Sequence, residues 1–264
     1  MRITILTLVL IAVPAFSQMR DNIQPQLKCN DNQSNGRLTR FCQMREQTVP
    51  YSGQLAIDGR ENGGISVLGW SRGDVLVRMR IEASGSSDAE AQALASQVRV
   101  SAGAGKISAD GPANDSDHNW SVSYEVFVPH AVNLDLTTHN GGVHLSDVRG
   151  NIQFSAVNGG VHLSRIAGNV HGQTTNGGLH IELAGSRWDG QGMEVSTTNG
   201  GVHLEVPENY SARLEGSTVN GGMHSDFAGM VQAKNARQIS ANLGGGGAVL
   251  SLKTMNGGVH VSRI

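Results

Sequence analysis

Proline is scarce in this chain, with six residues among 264, whereas glycine is abundant, with 35. This composition fits neither collagen nor a disordered tract rich in both residues. The chain also lacks a large excess of either positive or negative charge. Its formal net charge of −2 gives no electrostatic reason to expect nucleic acid or an anionic membrane as partner. Regularly placed Val, Leu and Ile among the glycines favour many short strands joined by tight turns.

The first seventeen residues have the layout of an export signal. Met1 and Arg2 give a positive start, residues 3–13 are almost entirely apolar, and Ala15 and Ser17 fit the small-residue positions before signal-peptidase cleavage. An apolar run of about eleven residues is too short to cross a hydrocarbon core of about 30 Å. No cysteine follows the cleavage position, so a lipoprotein is not expected. We therefore expect residues 1–17 to be a signal peptide. The mature protein would then be exported to the periplasm or to the extracellular space and cell surface, without a transmembrane segment.

Only two cysteines are present, Cys29 and Cys42, and they flank a polar, turn-rich stretch at residues 30–36. In an oxidising compartment the simplest interpretation is a disulfide, which for a loop of this size stabilises the fold by about 3 kcal/mol in the chain-entropy model. A metal pair or a redox dithiol would prefer a CxxC spacing. We therefore predict an N-terminal segment, residues 18–50, that is held by a Cys29–Cys42 disulfide.

The strongest signal is an internal repeat of Asn-Gly-Gly, and such self-similarity takes precedence over local patterns. The motif begins at Asn62, Asn140, Asn158, Asn176, Asn199, Asn220 and Asn256. From Asn140 onward the steps are 18, 18, 23, 21 and 36 residues. The last step is twice 18, which predicts that one unit between Asn220 and Asn256 has lost its signature.

Each unit contains two short strands with period-two alternation. Apolar residues stand three and five positions after the Asn, as in Val161-His162-Leu163, and four and six positions before it, as in Ile152 and Phe154. Residues 51–264 are therefore predicted to form an all-β, right-handed, β-helix-like solenoid of about 18-residue, two-strand rungs with a stacked Asn ladder. The alternative is an antiparallel β-meander with Asn-Gly hairpins. No amphipathic helix follows residue 134 to cover a flat sheet, which favours the solenoid.

Three local expectations accompany this prediction. The in/out parity flips across Asn-Gly-Gly, so one glycine of each turn is expected to have a positive φ. Residues 62–67 are an outlying copy of the repeat, and a helix at about residues 88–97 opens with a capping box of Ser87 and Glu90. This helix is the expected cap of the N-terminal end. The last strand, at about residues 259–264, is expected to lie at a poorly protected end.

The repeat resembles a known family. Residues 65–67 after Asn-Gly-Gly, the strand at residues 120–125 (WSVSYE) and the serial Thr-x-Asn-Gly-Gly units look like the bacterial putative-adhesin domains of unknown function. These domains are similar in style to the head domain of autotransporter adhesins. The resemblance covers about residues 50–264 and implies a β-solenoid in a cell-envelope setting, with no established catalytic residues. The chain departs from the family in the recurrent histidine after the turn, where mixed polar residues are expected.

Six histidines stand four residues after a repeat Asn, on the predicted outer side of their strands; this histidine ladder consists of His144, His162, His180, His203, His224 and His260. In a solenoid, neighbouring histidines would be about 4.8 Å apart, close enough for two imidazoles to share Zn²⁺, Ni²⁺ or Cu²⁺, whereas in a meander they would not. Few carboxylates accompany them: Glu182, Glu205 and Asp226 lie two positions further along. The simpler interpretation is that duplication copied a solvated histidine, so no metal site is assigned. Stacked imidazolium charges would also repel and destabilise the fold in mild acid.

Other motifs give no catalytic assignment. The turns lack the aspartates of calcium-binding repeats, and the glycines at 244–247 lack the Lys-Ser/Thr of a phosphate loop. Asp115, Asp117 and His118 form the densest acidic cluster, but in a loop, and no Gly-x-Ser-x-Gly motif occurs. Among the aromatic residues, Trp188 lies in an insertion between units and is the best placed to stack on a sugar.

The sequence thus predicts a non-enzymatic, exported cell-envelope protein whose adhesin-like scaffold serves as a structural or ligand-binding surface, without catalytic residues or a cofactor. Its expected partner is an envelope or extracellular protein or glycan, and not nucleic acid. Two alternatives stay open: a periplasmic transition-metal binder that uses the histidine ladder, and a carbohydrate-active β-helix enzyme.

Overall fold

The computed structural model describes residues 26–29, 38–227, 230 and 236–264. The expected signal peptide, residues 1–17, lies outside the described residues. Within them the chain is all-β apart from one helix, with two ten-stranded mixed sheets. The all-β prediction is therefore confirmed.

The strands are numbered in chain order. The first sheet contains β1 (Thr39–Pro50), β3 (Ile65–Trp70), β4 (Asp74–Gly85), β7 (Asn119–Pro129), β9 (Val143–Ser146), β11 (Val161–Ser164), β13 (Leu179–Glu182), β15 (Val202–Val206), β17 (Met223–Ser225) and β20 (Val259–Arg263). The second sheet contains β2 (Leu55–Asp58), β5 (Arg99–Gly103), β6 (Lys106–Asp110), β8 (Leu134–Asn140), β10 (Arg149–Asn158), β12 (Ala167–Asn176), β14 (Gly192–Asn199), β16 (Ala212–Asn220), β18 (Gln238–Leu243) and β19 (Val249–Asn256). The helix α1 spans Asp88–Gln97.

Each repeat unit contributes its strand before Asn-Gly-Gly to the second sheet and its strand after the motif to the first. Within both sheets, strands of successive units pair in parallel and in register, so that Asn158 faces both Asn140 and Asn176. Hairpins joined by Asn-Gly turns would pair antiparallel. The antiparallel meander is therefore wrong for the repeat. Antiparallel pairs occur only near the ends of the two sheets, at β1–β4, β4–β7, β5–β6 and β16–β18, among the described residues.

The last unit along the chain is not the last unit in space. Strand β19 lies between β14 and β16, and β20 lies between β15 and β17. The predicted lost unit between Asn220 and Asn256 is wrong: β18 runs back antiparallel along β16, and the chain then inserts β19 and β20 into the two sheets. The expectation that the final strand is poorly protected is also wrong, because β20 has a hydrogen-bonded neighbour on both sides.

The alternating apolar residues of the two sheets form one core. Val161, Leu163, Ile152 and other residues at equivalent positions are buried, while the residues between them face outward. Gly172 breaks the apolar pattern at one such position. The ring of Phe154 occupies the space that a side chain on Gly172 would need, so a large residue in one unit compensates for a missing one in the next.

The repeated asparagines form the predicted ladder at the turns. Each side-chain amide donates to the amide oxygen of the preceding asparagine in space, with N–O distances of 2.7–3.0 Å; the order is Asn62, Asn140, Asn158, Asn176, Asn199, Asn256 and Asn220. A side-chain amide offers both a donor and an acceptor, so one asparagine can bond to both neighbours. The ladder thereby holds successive units in register.

The first position of the Gly-Gly pair requires glycine because the backbone of another residue lies very close to it, and not because its φ is positive. No glycine of the seven Asn-Gly-Gly motifs has a left-handed φ, so that expectation is wrong. Instead, a Cβ atom on the first glycine would lie closer than 3.0 Å to a backbone oxygen at all seven turns. For Gly159 that oxygen belongs to Gly141 of the preceding unit. The carbonyl oxygen of the first glycine also accepts a hydrogen bond from the threonine two residues before Asn in the next unit. Thr174 Oγ1, for example, donates to Gly159 O at 2.9 Å.

The N-terminal end of the sheets is closed by residues outside the regular repeat. Strand β3, which follows Asn-Gly-Gly in the outlying copy at residues 62–67, pairs in parallel with β9 of the first regular unit. Helix α1 has the expected bounds and cap, since Ser87 Oγ accepts the N–H of Glu90, and it packs against β1 and β4. The Cys29–Cys42 disulfide is confirmed, with Cα atoms 5.8 Å apart.

Candidate functional site

The histidine ladder forms one row on the outer face of the first sheet. Parallel pairing in register places the histidines directly beside one another, in the spatial order His144, His162, His180, His203, His260 and His224. Ser66 occupies the same position on β3, beside His144. The row exists because each strand after Asn-Gly-Gly begins with a buried apolar residue, which turns the next side chain to solvent.

The rings of the ladder adopt two kinds of contact. His144 with His162, and His203 with His260, are stacked, with centroids 4.8 Å apart and interplanar angles of 8° and 16°. His180 with His203, and His224 with His260, meet edge-on, with centroids 5.0 and 4.7 Å apart and interplanar angles of 84° and 78°. The remaining neighbours, His162 and His180, are tilted, with centroids 5.5 Å apart.

Burial and crowding disfavour protonation of the ladder. Desolvation lowers the pKa of His144 and of His162, and the charge of the next histidine along the row lowers each further. The pKa of His203 is lowered by the same causes, although the carboxylates of Glu205 and Asp226 oppose them. These three imidazoles are therefore held toward the neutral form, which is the form that binds metal ions.

Carboxylates join the row at two places. Glu205 lies one strand away from His180, with 3.7 Å between Oε1 and Nε2. Asp226 lies near His224, with 3.5 Å between Oδ1 and Nε2. Two groups of three potential ligands result, and within each group the donor atoms lie within 4.8 Å of one another; the groups are His180, His203 and Glu205, and His224, Asp226 and His260.

The second glycines of the motif open a shallow groove beside the row. The groove has a volume of about 630 Å³ and is lined by five ladder histidines and by second glycines such as Gly178 and Gly201. A Cβ on the second glycine would be less crowded than one on the first: its nearest atom would lie at 3.2 Å or more, as for Gly178, where Gly201 O would be at 3.4 Å. The groove therefore gives access to the sides of the imidazole rings.

The other candidates weighed in the sequence serve structural roles. Trp188 is 5% exposed, and its indole N–H donates to Gly168 O, so it is not available as a sugar-stacking platform. Asp115 Oδ1 accepts the backbone N–H groups of Asp117 and His118, which lowers the pKa of its carboxyl group and shapes the loop. Neither observation supports a catalytic role for these residues.

Sequence reasoning missed the order of the last histidines. His260 follows His224 by 36 residues along the chain, yet it lies between His203 and His224 in space. The local sequence at Asn256 matches that of the other units, and the 36-residue step before it is equally compatible with a lost unit, so neither reveals the insertion. The position of β18 as an edge strand is the structural cause.

No helix in the described part of the chain is both long and apolar enough to cross a membrane.

The parallel pairing of the strands and the exposed histidine row define a repeat protein with an extended outer surface. A family model described as Toastrack DUF4097 matches residues 51–262. The chain therefore belongs to this family of unknown function, which confirms the resemblance to bacterial adhesin-like domains. No curated protein matches the chain.

Solved structures that match this chain come from several bacteria. One is described as a "putative cell adhesion protein" from Clostridium sporogenes, with 10% identity, a TM-score of 0.48, and coverage of 84% of this chain and 100% of that one. Another is a "putative adhesin" from Bacteroides fragilis, with 10% identity, a TM-score of 0.34, and coverage of 84% and 97%. A third is a "putative lipid binding protein" from Parabacteroides distasonis, with 7% identity, a TM-score of 0.38, and coverage of 87% and 98%.

Proposed function

We propose that this chain is an exported, non-enzymatic cell-envelope protein that binds an envelope or extracellular protein or glycan through the outer face of its first sheet. The observation that carries this proposal is the continuous row of six histidines beside a groove of about 630 Å³. A repeated side chain at a fixed strand spacing presents the same group many times, which suits an extended partner such as a polymer.

The scaffold proposed for this role is a right-handed β-solenoid of about 18-residue rungs. Parallel in-register pairing in both sheets supports it, as does the one-unit offset of the Asn ladder. Ser146 and Ser164 are paired residues on β9 and β11, so cysteines at both positions should form a disulfide on mild oxidation. Cysteines at Ser146 and Glu182, two strands apart, provide the control. Equal cross-linking of both pairs would contradict the solenoid register.

Export is supported by the apolar N-terminus in the sequence and by the Cys29–Cys42 disulfide, because disulfides persist in oxidising compartments. The test is a fusion of residues 1–25 to alkaline phosphatase, an enzyme that is active only after export. We expect activity in whole bacteria, and loss of that activity when Ile5 and Leu6 are both changed to Asp. A fusion protein that accumulates in the cytoplasm without phosphatase activity would contradict export.

Partner binding is tested with biotinylated residues 18–264 on a glycan array and on envelope vesicles, with a chelator present throughout. We expect binding that falls at least tenfold in His162→Glu, because the new carboxylate lies in the groove. His171→Glu is the matched control, since His171 is an exposed histidine on the second sheet. Absence of binding to both materials, or equal loss in the two variants, would contradict the proposal.

A further inference from the structure

The two carboxylate-containing groups of the histidine row have the composition of a transition-metal site. We propose that this face binds two divalent ions of the Zn²⁺ class, each held by two imidazoles and one carboxylate. The proposed ligands are His180, His203 and Glu205 for the first ion, and His260, His224 and Asp226 for the second. This inference goes beyond the proposed scaffold function and does not rest on it, because an ion could bind whether or not a partner protein or glycan exists.

The orientation of the rings distinguishes these groups from the rest of the ladder. The lone pair of an imidazole nitrogen lies in the plane of its ring, so two parallel rings direct their lone pairs along planes that do not converge. The two histidine pairs within the proposed sites are instead nearly perpendicular, at 84° and 78°. Perpendicular rings can direct one nitrogen each at a common point. The edge-on contacts thus coincide with the two places where a carboxylate joins the row.

The distances are compatible with one ion per group. Ligands bound to Zn²⁺ at about 2.0–2.1 Å in a tetrahedron lie about 3.4 Å from one another. The potential donor atoms within each group are at most 4.8 Å apart. The side chains of the first group are partly exposed and those of the second are exposed, so both groups have room for side-chain rotations toward one ion. Ser262 Oγ lies 2.9 Å from Nε2 of His203, and this hydrogen bond fixes the orientation of one ring in the first site.

The charge around Glu205 favours a bound cation. Glu182, the residue beside Glu205 on β13, is already compensated: it accepts a hydrogen bond from Ser164 and lies 3.8 Å from the guanidinium of Arg165. Among the described residues, the only ion-pair partner of Glu205 is the imidazole of His180. Glu205 thus has no guanidinium or ammonium group as an ion-pair partner among the described residues, and a divalent ion between it and the imidazoles would balance its charge.

The ligand set selects the class of ion. Two nitrogen donors and one carboxylate suit Zn²⁺, Cu²⁺ and Ni²⁺, whereas Ca²⁺ and Mg²⁺ prefer sites built from oxygen atoms alone. Three protein ligands leave a fourth position for water or a further ligand. Glu205 has 26% of its side chain exposed and Asp226 has 45%, so we expect the first site to bind more tightly than the second.

The stacked pair His144 and His162 serves as the internal comparison. Its rings are nearly parallel, at 8°, and the residues two positions further along are Ser146 and Ser164 in place of carboxylates. This part of the ladder is not expected to hold an ion. If clustered histidines bound metal ions regardless of geometry, this pair would also bind one. The comparison therefore distinguishes the two proposed sites from such a general affinity.

The test is calorimetric titration of ZnCl₂ into residues 18–264 at pH 7.5, after chelator treatment and without a polyhistidine tag. We expect two ions per chain, with a Kd on the order of 1 μM for the tighter site. Glu205→Gln and Asp226→Asn should each lose one ion. The matched controls are Glu182→Gln and the double variant His144→Gln/His162→Gln, which should both retain two. All four variants keep similar side-chain volumes, and a thermal melt by circular dichroism confirms that each is folded.

A second measurement reports the coordination geometry of the bound ion and does not depend on the heat of binding. Co²⁺ in a tetrahedral protein site absorbs visible light strongly, whereas hydrated octahedral Co²⁺ absorbs weakly. We expect this absorption in the wild-type protein and its reduction by half in Glu205→Gln. Absence of zinc binding, two ions in Glu205→Gln, or loss of an ion in Glu182→Gln would each overturn the proposed sites. None of these outcomes bears on glycan or protein binding measured in chelator.

Discussion

Gly159 lies directly against the carbonyl oxygen of Gly141, so close that a Cβ on Gly159 would approach that oxygen to less than 3.0 Å. The same relationship links the first glycines of neighbouring units along the whole stack. A side chain here must displace backbone, and the cost of such overpacking is about 3 kcal/mol. We therefore expect Gly159→Ala to lower the Tm by about 6–12 °C, at about 2–4 °C per kcal/mol for a domain of this size.

The neighbouring glycine provides the control for this prediction. A Cβ on Gly160 would have its nearest atom, Gly178 O, at 3.7 Å, an ordinary contact. Because alanine also restricts the unfolded chain, Gly160→Ala should leave the Tm unchanged or raise it slightly. Thermal melts of the two variants at one pH compare them directly. Equal destabilisation would show that the motif needs glycine for a reason other than close approach.

A buried hydroxyl is missing from one unit of the stack. Thr174, Thr197 and their equivalents donate to the carbonyl of the first glycine in the preceding unit, but Ala156 stands at this position in β10. Ala156→Thr should place a hydroxyl within reach of Gly141 O and stabilise the fold by about 1 kcal/mol. Chemical denaturation measures the gain. Ala156→Val adds the same volume without a donor, so a gain of equal size in that variant would exclude the hydrogen bond as its cause.

Sequence patterns predicted the features that every repeat unit shares, but they did not predict the structure where the regular repeat ends. The alternation around Val161 and Leu163, the Asn ladder and the alignment of the histidines follow from one register applied to every unit. The insertion of β19 and β20 could not be predicted, because it depends on the antiparallel return of β18 and not on any residue in the motif. The role of the first glycine was also missed, since close approach between backbones of different units leaves no local signature, whereas positive φ is a familiar property of glycine in turns.

The histidine ladder could also be predicted only in part from the sequence. The sequence places each histidine on the outer face, but the angle between two rings depends on side-chain packing against neighbours. The distinction between the stacked His144–His162 pair and the edge-on His180–His203 pair therefore appears only in the structure. The compensation of Glu182 by Arg165 is equally invisible in the spacing.

The histidine ladder should make the fold sensitive to mild acid in the absence of metal. The pKa of His144 and the pKa of His162 are lowered in the folded state by burial and by the next histidine. As the pH falls below the unfolded value of about 6.5, the unfolded chain takes up protons first, so stability is complete above that pH and decreases below it. We expect the Tm in chelator to fall between pH 7.5 and pH 5.

The variant His144→Gln/His162→Gln tests the source of this acid sensitivity. It removes two of the groups with a lowered pKa and should reduce the loss of Tm between pH 7.5 and pH 5. His171→Gln on the second sheet is the control, because His171 lies between Gln153 and Glu194 and has no histidine beside it. A Tm that is the same at both pH values in the wild-type protein would contradict the stacking of the imidazoles.

Tyr124 carries a buried hydroxyl that lacks a hydrogen-bond partner among the described residues. Its side chain is 2% exposed on β7, and burial raises the pKa of the phenol. Removing an unsatisfied buried polar atom while keeping the ring relieves a desolvation cost of about 1–3 kcal/mol. We therefore expect Tyr124→Phe to be more stable than the wild-type protein by about 1 kcal/mol in chemical denaturation. Tyr51→Phe is the control, because the Tyr51 hydroxyl does have hydrogen-bond partners. It donates to Gly53 O at 2.6 Å and accepts the N–H of Asn133 at 3.1 Å. We expect this variant to be less stable than the wild-type protein. A loss of stability in Tyr124→Phe would mean that its hydroxyl has a partner in solution.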